Sequence, residues 1–310
     1  MTRILIVGSG AMACLFGARL SAAGLEVHHL GTWPEGIRAL QKTGIKLAGP
    51  QGWETYSVSA SLDPEDYQNI QFAFVLVKSW QTNRAADQLA GILPSDGVAL
   101  TLQNGIGSGS TLKAVLGEER VVEGVTSAGA TLLGPGKVRP GGEGEIILCD
   151  HPRMDKLILF LNKAGFQTAV VSDLSSVIWE KLVINTAINP LTGLLGVPNG
   201  ALLESPAARK ILEQAAEETA AVAAAQGIGV VTQNPAQAAR KVAAATAENH
   251  SSMLQDLLRG APTEIEEICG AVVARADQLG LPAPVNRLLL GLIRAQVELK
   301  ERSIWKPFTH

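Results

Sequence analysis

Residues 2–13, Thr2-Arg3-Ile4-Leu5-Ile6-Val7-Gly8-Ser9-Gly10-Ala11-Met12-Ala13, decide how the rest of the chain is read. A short apolar strand runs into a glycine turn, and an apolar-periodic helix follows to about Ala23. Gly8 permits the turn. Gly10 carries no side chain to keep a pyrophosphate from the backbone, and Ala13 lets the helix lie close to the strand. A pyrophosphate would rest on the amides at the helix N-terminus, where the dipole favours negative charge. A second strand is predicted at Glu26–Leu30. This strand–turn–helix–strand order gives the glycines a dinucleotide-binding reading, which a bare GxGxxA match would not.

Working outward, strands are predicted at Phe72–Val77, Val98–Leu102 and Arg120–Val125. Helical patterns lie between them at Trp33–Thr43, Thr82–Gly91 and Gly107–Leu116. The alternation predicts a doubly wound parallel sheet, an α/β fold of Rossmann type. Gly44–Val58 reads as an inserted hairpin. Pieces at Ala128–Leu133, Lys137–Arg139 and Glu143–Leu148 read as antiparallel strands added at the sheet edge, before a helix at Pro152–Ala164 and a strand at Gln167–Val171. After Val171 the pattern is helical: a helix from Ser175, then Ala207–Gln226, Pro235–Ala247, Glu264–Leu279 and Val285–Lys300. Two domains are expected, a dinucleotide-binding one over 1–172 and an all-α one over 173–310.

The composition excludes several function classes. Of the 310 residues, 46% are hydrophobic and the formal net charge is −3, so cores can form and no polyanion partner is indicated. Aromatics are only 4%, which leaves no stacking platform for nucleic acid. Cys14, Cys149 and Cys269 are odd in number and far apart. They read as reduced thiols of a cytoplasmic protein, with no membrane span or secretion signal. His28, His29 and His310 make no metal-ligand spacing, so no metal is expected.

Three polar residues on the helix from Ser175 stand out. Lys181, Asn185 and Asn189 follow one another at steps of four and share a helix face amid apolar neighbours. A lysine held with two amides could present an ammonium to a carbonyl oxygen; the bland alternative is a surface lysine beside two bridging amides. Asn104 closes a strand at the end of the sheet where ligands sit, and could orient a nicotinamide carboxamide or simply form an Asn-Gly turn. Lys78 ends another strand and could reach a cofactor hydroxyl or phosphate, or only solvate a loop. Thr263 and Glu266 have the spacing of a capping box, which would make Glu264 an ordinary first-turn acid.

Taken together the segments resemble the ketopantoate reductase (2-dehydropantoate 2-reductase) family. The matching stretches are Gly8–Met12, Val77–Gln81, Gln103–Gly107, Trp179–Leu182 with Asn185 and Asn189–Thr192, Pro198–Gly200, and Glu248–Asp256 followed by Thr263–Ile265. The resemblance implies a C-terminal domain like that of 6-phosphogluconate dehydrogenase and reduction of ketopantoate with NADPH. Lys181 would be the general acid and Glu264 the anchor of the substrate's distal hydroxyl. Asn185, Asn189, Asn199 and Ser252 would orient the substrate, and Asn104 would serve substrate and nicotinamide. Gly8, Ser9, Gly10, Ala11, Met12, Thr32, Lys78 and Gln81 would hold the dinucleotide.

The chain departs from the family pattern in places. Gly31-Thr32 stands where an arginine usually grips the adenosine 2′-phosphate, with Arg38 six residues on. No acid ends that strand either, so NADP is the expected cofactor and NAD stays open. Ala261 and Glu266-Glu267-Ile268-Cys269-Gly270 also differ, which leaves open a paralogous reductase of another small 2-oxo acid. A non-catalytic NADP(H)-binding regulator would need only the cofactor half. The sequence does not give the oligomeric state; a homodimer is the working expectation.

Overall fold

The computed structural model describes residues 2–229 and 232–301; His310 lies outside them. The chain divides into two compact units, one of residues 1–103 and 107–174, the other of residues 104–106 and 175–310.

The first unit begins β1 (Arg3–Val7), α1 (Ala11–Ala22), β2 (Glu26–Leu30) and α2 (Pro34–Thr43). The hairpin β3 (Ile45–Gly49) and β4 (Gly52–Tyr56) follows, then β5 (Ser59–Ser61), β6 (Phe72–Val75), α3 (Thr82–Ile92), β7 (Val98–Thr101), α4 (Ser108–Leu116) and β8 (Val121–Thr126). It ends with β9 (Ala130–Gly134), β10 (Lys137–Pro140), β11 (Glu145–Cys149), α5 (Asp155–Lys163) and β12 (Gln167–Val171).

The main sheet has the order β12-β11-β8-β7-β6-β1-β2-β5. Its strands are parallel except that β11 runs antiparallel to β8. β1 is buried on both faces, as a central strand of a helix-covered sheet must be. Ile4 and Ile6 pack with Phe16 and Leu20 of α1 and Leu157 and Leu161 of α5. Leu5 and Val7 pack with Leu89 of α3 and Leu112 and Leu116 of α4.

Two expectations need correction. β9 and β10 are not added to the edge of the main sheet. They join the hairpin in a separate four-stranded sheet of order β4-β3-β10-β9, because Val138, Ala130 and Leu132 share an apolar cluster with Ile45, Leu47 and the α1 residues Cys14, Leu15 and Ala18. β5, which pairs with β2, is a strand the sequence pattern did not suggest; only its central Ala60 is buried, too little for an alternation signal.

The second unit is α6 (Ser175–Leu195), α7 (Ala201–Glu204), α8 (Pro206–Ala225), α9 (Pro235–Ala245), α10 (Ser252–Arg259), a π-helical turn at Glu266–Gly270 that runs into α11 (Ala271–Leu279), and α12 (Pro284–Glu301). α6 forms its axis: Trp179, Leu182, Val183, Ala187, Ile188 and Leu191 are buried among residues of α8, α10, α11 and α12. Gly193 admits α10 closely, since a Cβ there would stand 2.9 Å from Leu257 Cδ1. The amides of Val285 and Asn286 at the start of α12 donate to the Glu218 carboxylate, each at 2.9 Å, so a side chain of α8 caps a helix far along the chain. Two short helices, α7 and α10, were not legible as such. The segment expected as one helix from Glu264 begins instead with the π turn.

Candidate active site

In the first unit the chain goes from β1 to β2 on one side and returns through β6 on the other, so β1 and β6 border the topological switch point. Ligands of open α/β sheets bind outside the carboxyl ends of strands at such a point. Gly8 sits there with φ +136°, and its amide donates to the Leu30 carbonyl at 2.8 Å. A Cβ on Gly8 would come within 2.9 Å of the Leu76 carbonyl oxygen and 3.3 Å of the Ala13 Cβ. A side chain is therefore barred by the main chain just after β6 on one hand and by α1 on the other.

Gly10 is different: nothing lies within 4 Å of the place its Cβ would take, and no side chain caps the first turn of α1. Open space over uncapped helix amides is what an anionic ligand requires. Ser9 lies beside Gly31, and Gln81 Nε2 donates to Thr32 Oγ1 at 3.4 Å, so the residues expected to hold the dinucleotide converge from the ends of β1, β2 and β6. Lys78 follows β6 and leads into a 3-10 turn, Ser79–Gln81. Arg38 is exposed, and its Nε donates to the Pro34 carbonyl one turn back, at 3.2 Å.

Three residues of this unit have roles that the sequence reading did not assign. Gln103 donates to the Val77 carbonyl and to Thr82 Oγ1, tying the end of β7 to the turn that carries Lys78 and Gln81. His29, buried in β2, sits 3.0 Å by its Nδ1 from the Gly8 carbonyl, and Gly17 of α1 leaves room for its ring. Burial holds the His29 pKa down at about 4, against the opposing effect of the Gly8 bond. The neutral ring then donates from Nδ1 and braces the glycine turn. Only the apolar alternation of β2, with a histidine at an inward position, could have signalled it.

In the second unit Lys181, Asn185 and Asn189 lie on α6 at their predicted spacing; Lys181 and Asn185 are half-buried and Asn189 is buried. Burial lowers the Lys181 pKa to about 8, and the charge of Glu264 opposes the fall. Glu264 is itself 4% exposed. Its Oε2 accepts from Asn104 Nδ2 at 3.3 Å, across 160 residues of sequence. Asn104 therefore belongs with the helical unit, although β7 precedes it.

The capping-box reading of this segment fails: Glu266 is held by Arg294, with bonds of 2.7 and 2.5 Å, and makes no cap. Glu264 stands just before the π turn, its carbonyl accepting from the Ile268 amide. Asn199 is buried; its Nδ2 donates to Thr246 Oγ1 at 2.9 Å, while Oδ1 has no partner among the described residues. Ser252 opens α10 behind the cap Ser251, which receives the Leu254 amide. Among the described residues no group of histidines, cysteines and acids could hold a metal ion, and no helix is long and apolar enough to cross a membrane.

The family profile for ketopantoate reductase PanE/ApbA matches residues 4–153, and that for its C-terminal domain matches residues 173–298. The chain belongs to the ketopantoate reductase family. It is 35% identical to the 2-dehydropantoate 2-reductase of Halobacterium salinarum over 94% of this chain and 98% of that one. The corresponding enzyme of Archaeoglobus fulgidus is 36% identical over 94% and 97%. A PanE/ApbA family ketopantoate reductase from Ralstonia eutropha superposes with a TM-score of 0.90 at 32% identity, covering 97% of this chain and all of that one.

Proposed function

We propose that this ketopantoate reductase family member reduces ketopantoate to pantoate with NADPH. In this reading residues 1–172 bind the dinucleotide and residues 173–310 carry the acid and the substrate anchor. The observation that carries it is the combination on the second unit: an ammonium whose pKa burial has brought to about 8, influenced by a buried carboxylate that Asn104 holds by hydrogen bond.

The space over Gly10 and the uncapped amides of α1 suit the pyrophosphate, with Ser9, Ala11 and Met12 in the same turn and Thr32, Lys78 and Gln81 nearby to meet the rest of the dinucleotide. When bound, the reduced nicotinamide supplies a hydride. Lys181 supplies the matching proton. Its Nζ gives H⁺ to the C2 carbonyl oxygen as the C=O π pair moves onto that oxygen, which leaves a C2 hydroxyl and a neutral amine that regains its proton from water. An acid with a pKa near working pH is suited to giving up and regaining a proton in each cycle. The developing negative charge on the oxygen is stabilised by the same ammonium.

Glu264 accepts a hydrogen bond from the substrate's distal hydroxyl, and Asn185, Asn189, Asn199 and Ser252 orient its carboxylate and carbonyl. The reading carries with it a cytoplasmic enzyme acting on a small-molecule 2-oxo acid. A homodimer is part of it, to be checked by mass in solution. NADP is preferred, and NAD is to be compared directly. The test is NADPH and NADH oxidation by the purified protein against a panel of 2-oxo acids. Turnover of ketopantoate well above the other acids supports the reading. Cofactor binding without turnover of any of them would return the chain to a regulatory role.

A further inference from the structure

We infer that Gly105 is a specificity-determining positioning residue: its bare, left-handed backbone lets the strip Asn104–Ile106 lie directly on Glu267 and so sets Asn104 against Glu264. The inference rests on the role proposed above for Glu264. Three observations within the second unit carry it.

Gly105 has φ +81°, a conformation that costs an L side chain. A Cβ at Gly105 would stand 2.4 Å from the Glu267 carbonyl oxygen, 2.7 Å from the Glu267 Cβ and 2.9 Å from its carbonyl carbon. Two of these three atoms are main chain, so no rotamer change relieves the overlap. On either side of this contact the strip is pinned: the Ile106 amide donates to the Glu267 carbonyl at 3.3 Å, and Asn104 Nδ2 donates to Glu264 Oε2 at 3.3 Å.

Glu267 belongs to the π-helical turn that begins two residues after Glu264. Inserted π turns recur at functional sites, where they re-aim neighbouring groups. The Arg294–Glu266 pair anchors the outer side of this turn. The strip and the turn therefore form a clamp. Asn104 donates to Oε2 of the carboxylate and so fixes the plane in which a further donor meets it. A hydroxyl-bearing substrate supplies such a donor, and a substrate without the hydroxyl does not. Gly105 acts through Asn104 and touches no reacting atom.

The experiment compares wild type, Gly105→Ala, Asn104→Ala and the double variant on ketopantoate and on ketoisovalerate, the 2-oxo acid without the hydroxyl. NADPH affinity is measured by fluorescence titration, and amide exchange of Ile106 is followed in the wild-type protein. In Gly105→Ala, kcat/KM for ketopantoate should fall about tenfold or more relative to that for ketoisovalerate, a ratio that any change in NADPH affinity leaves alone because it bears equally on both substrates. The double variant should lose little beyond Asn104→Ala, since the two residues act as one unit. The Ile106 amide should be protected in wild type, a measurement that stands even where the alanine variant does not fold.

Equal losses on both substrates, unchanged discrimination, fully additive losses or a rapidly exchanging Ile106 amide would each overturn the inference. A wild-type protein that does not turn over ketopantoate is a separate result: it removes the proposed activity, while the exchange measurement still reports on the clamp.

Discussion

Lys181 is half-buried, and the role proposed for it requires a bound proton, so the two demands pull against each other. Burial has brought its pKa from the ordinary 10.5 to about 8. The acid is the protonated form, so kcat/KM should be level below pH 8 and fall tenfold per unit as the pH rises beyond it; a profile level to pH 10 would exclude this lysine as the donor. Lys181→Ala should lower kcat by about 10²–10⁴-fold, the usual effect of losing a positioned acid, and leave NADPH binding unchanged. The partner carboxylate is tested by discrimination. Glu264→Ala should reduce kcat/KM strongly for ketopantoate and much less for ketoisovalerate, because only the first substrate presents the hydroxyl. Equal losses would remove Glu264 from hydroxyl recognition, and a large melting shift with wild-type kinetics would make it a structural acid. At this scale the sequence was informative where chemistry repeats at helical spacing, as in Lys181, Asn185 and Asn189. It was silent where two residues meet across 160 positions, as Asn104 and Glu264 do, because no local pattern encodes such a contact.

Elements were legible where hydrophobic periodicity is strong and illegible where partners are remote. β1, α1 and β2 follow from alternation and the glycine turn. The strands of the second sheet and its hairpin β3–β4 were legible too, but not their assembly into a separate sheet, since β3 pairs with β10 some ninety residues away and each strand is too short to announce its neighbour. The contact of β2 with α1 holds a testable consequence. His29 is buried with a folded pKa near 4 against an ordinary 6.5, so the unfolded chain binds the extra proton first. The histidine's contribution is therefore complete above pH 6.5 and is lost as the pH falls from 6.5 to 4, to a total of about 3 kcal/mol. Urea unfolding of wild type and His29→Gln across this window should show the steeper loss in wild type; parallel curves would place the titration elsewhere. At the end of β2 the cofactor phosphate is at issue. Arg38 donates from Nε to the Pro34 carbonyl of its own helix, and the proposal to test is that its terminal nitrogens reach a 2′-phosphate. Arg38→Ala should then raise KM for NADPH and hardly affect NADH, and equal effects on both would assign the phosphate to Thr32 and the backbone.

At the scale of the whole molecule, the change from alternating strands and helices to continuous helix was visible near residue 172 because composition changes there. What composition could not show is that residues 104–106, deep inside the first half of the sequence, are part of the helical unit. Three residues between β7 and α4 leave one core's neighbourhood for another, and no hydrophobic pattern marks so short an excursion. The two units have separate apolar cores, one around Trp179 and Leu182 of α6 and the others around β1. A ligand held by the first unit stabilises that unit by mass action, by about 2.7 kcal/mol at a concentration one hundred times its Kd, which slows exchange through unfolding about a hundredfold. With NADPH alone, amide exchange in β1, α1 and β6 should slow by this order, while the core amides of α8 slow far less. The measurement is hydrogen exchange with and without the dinucleotide, read residue by residue. An equal gain in both units would mean that they unfold as one and are not energetically separable. No gain in β1 or α1 would remove the glycine turn from dinucleotide binding altogether, whatever the protein does with a 2-oxo acid.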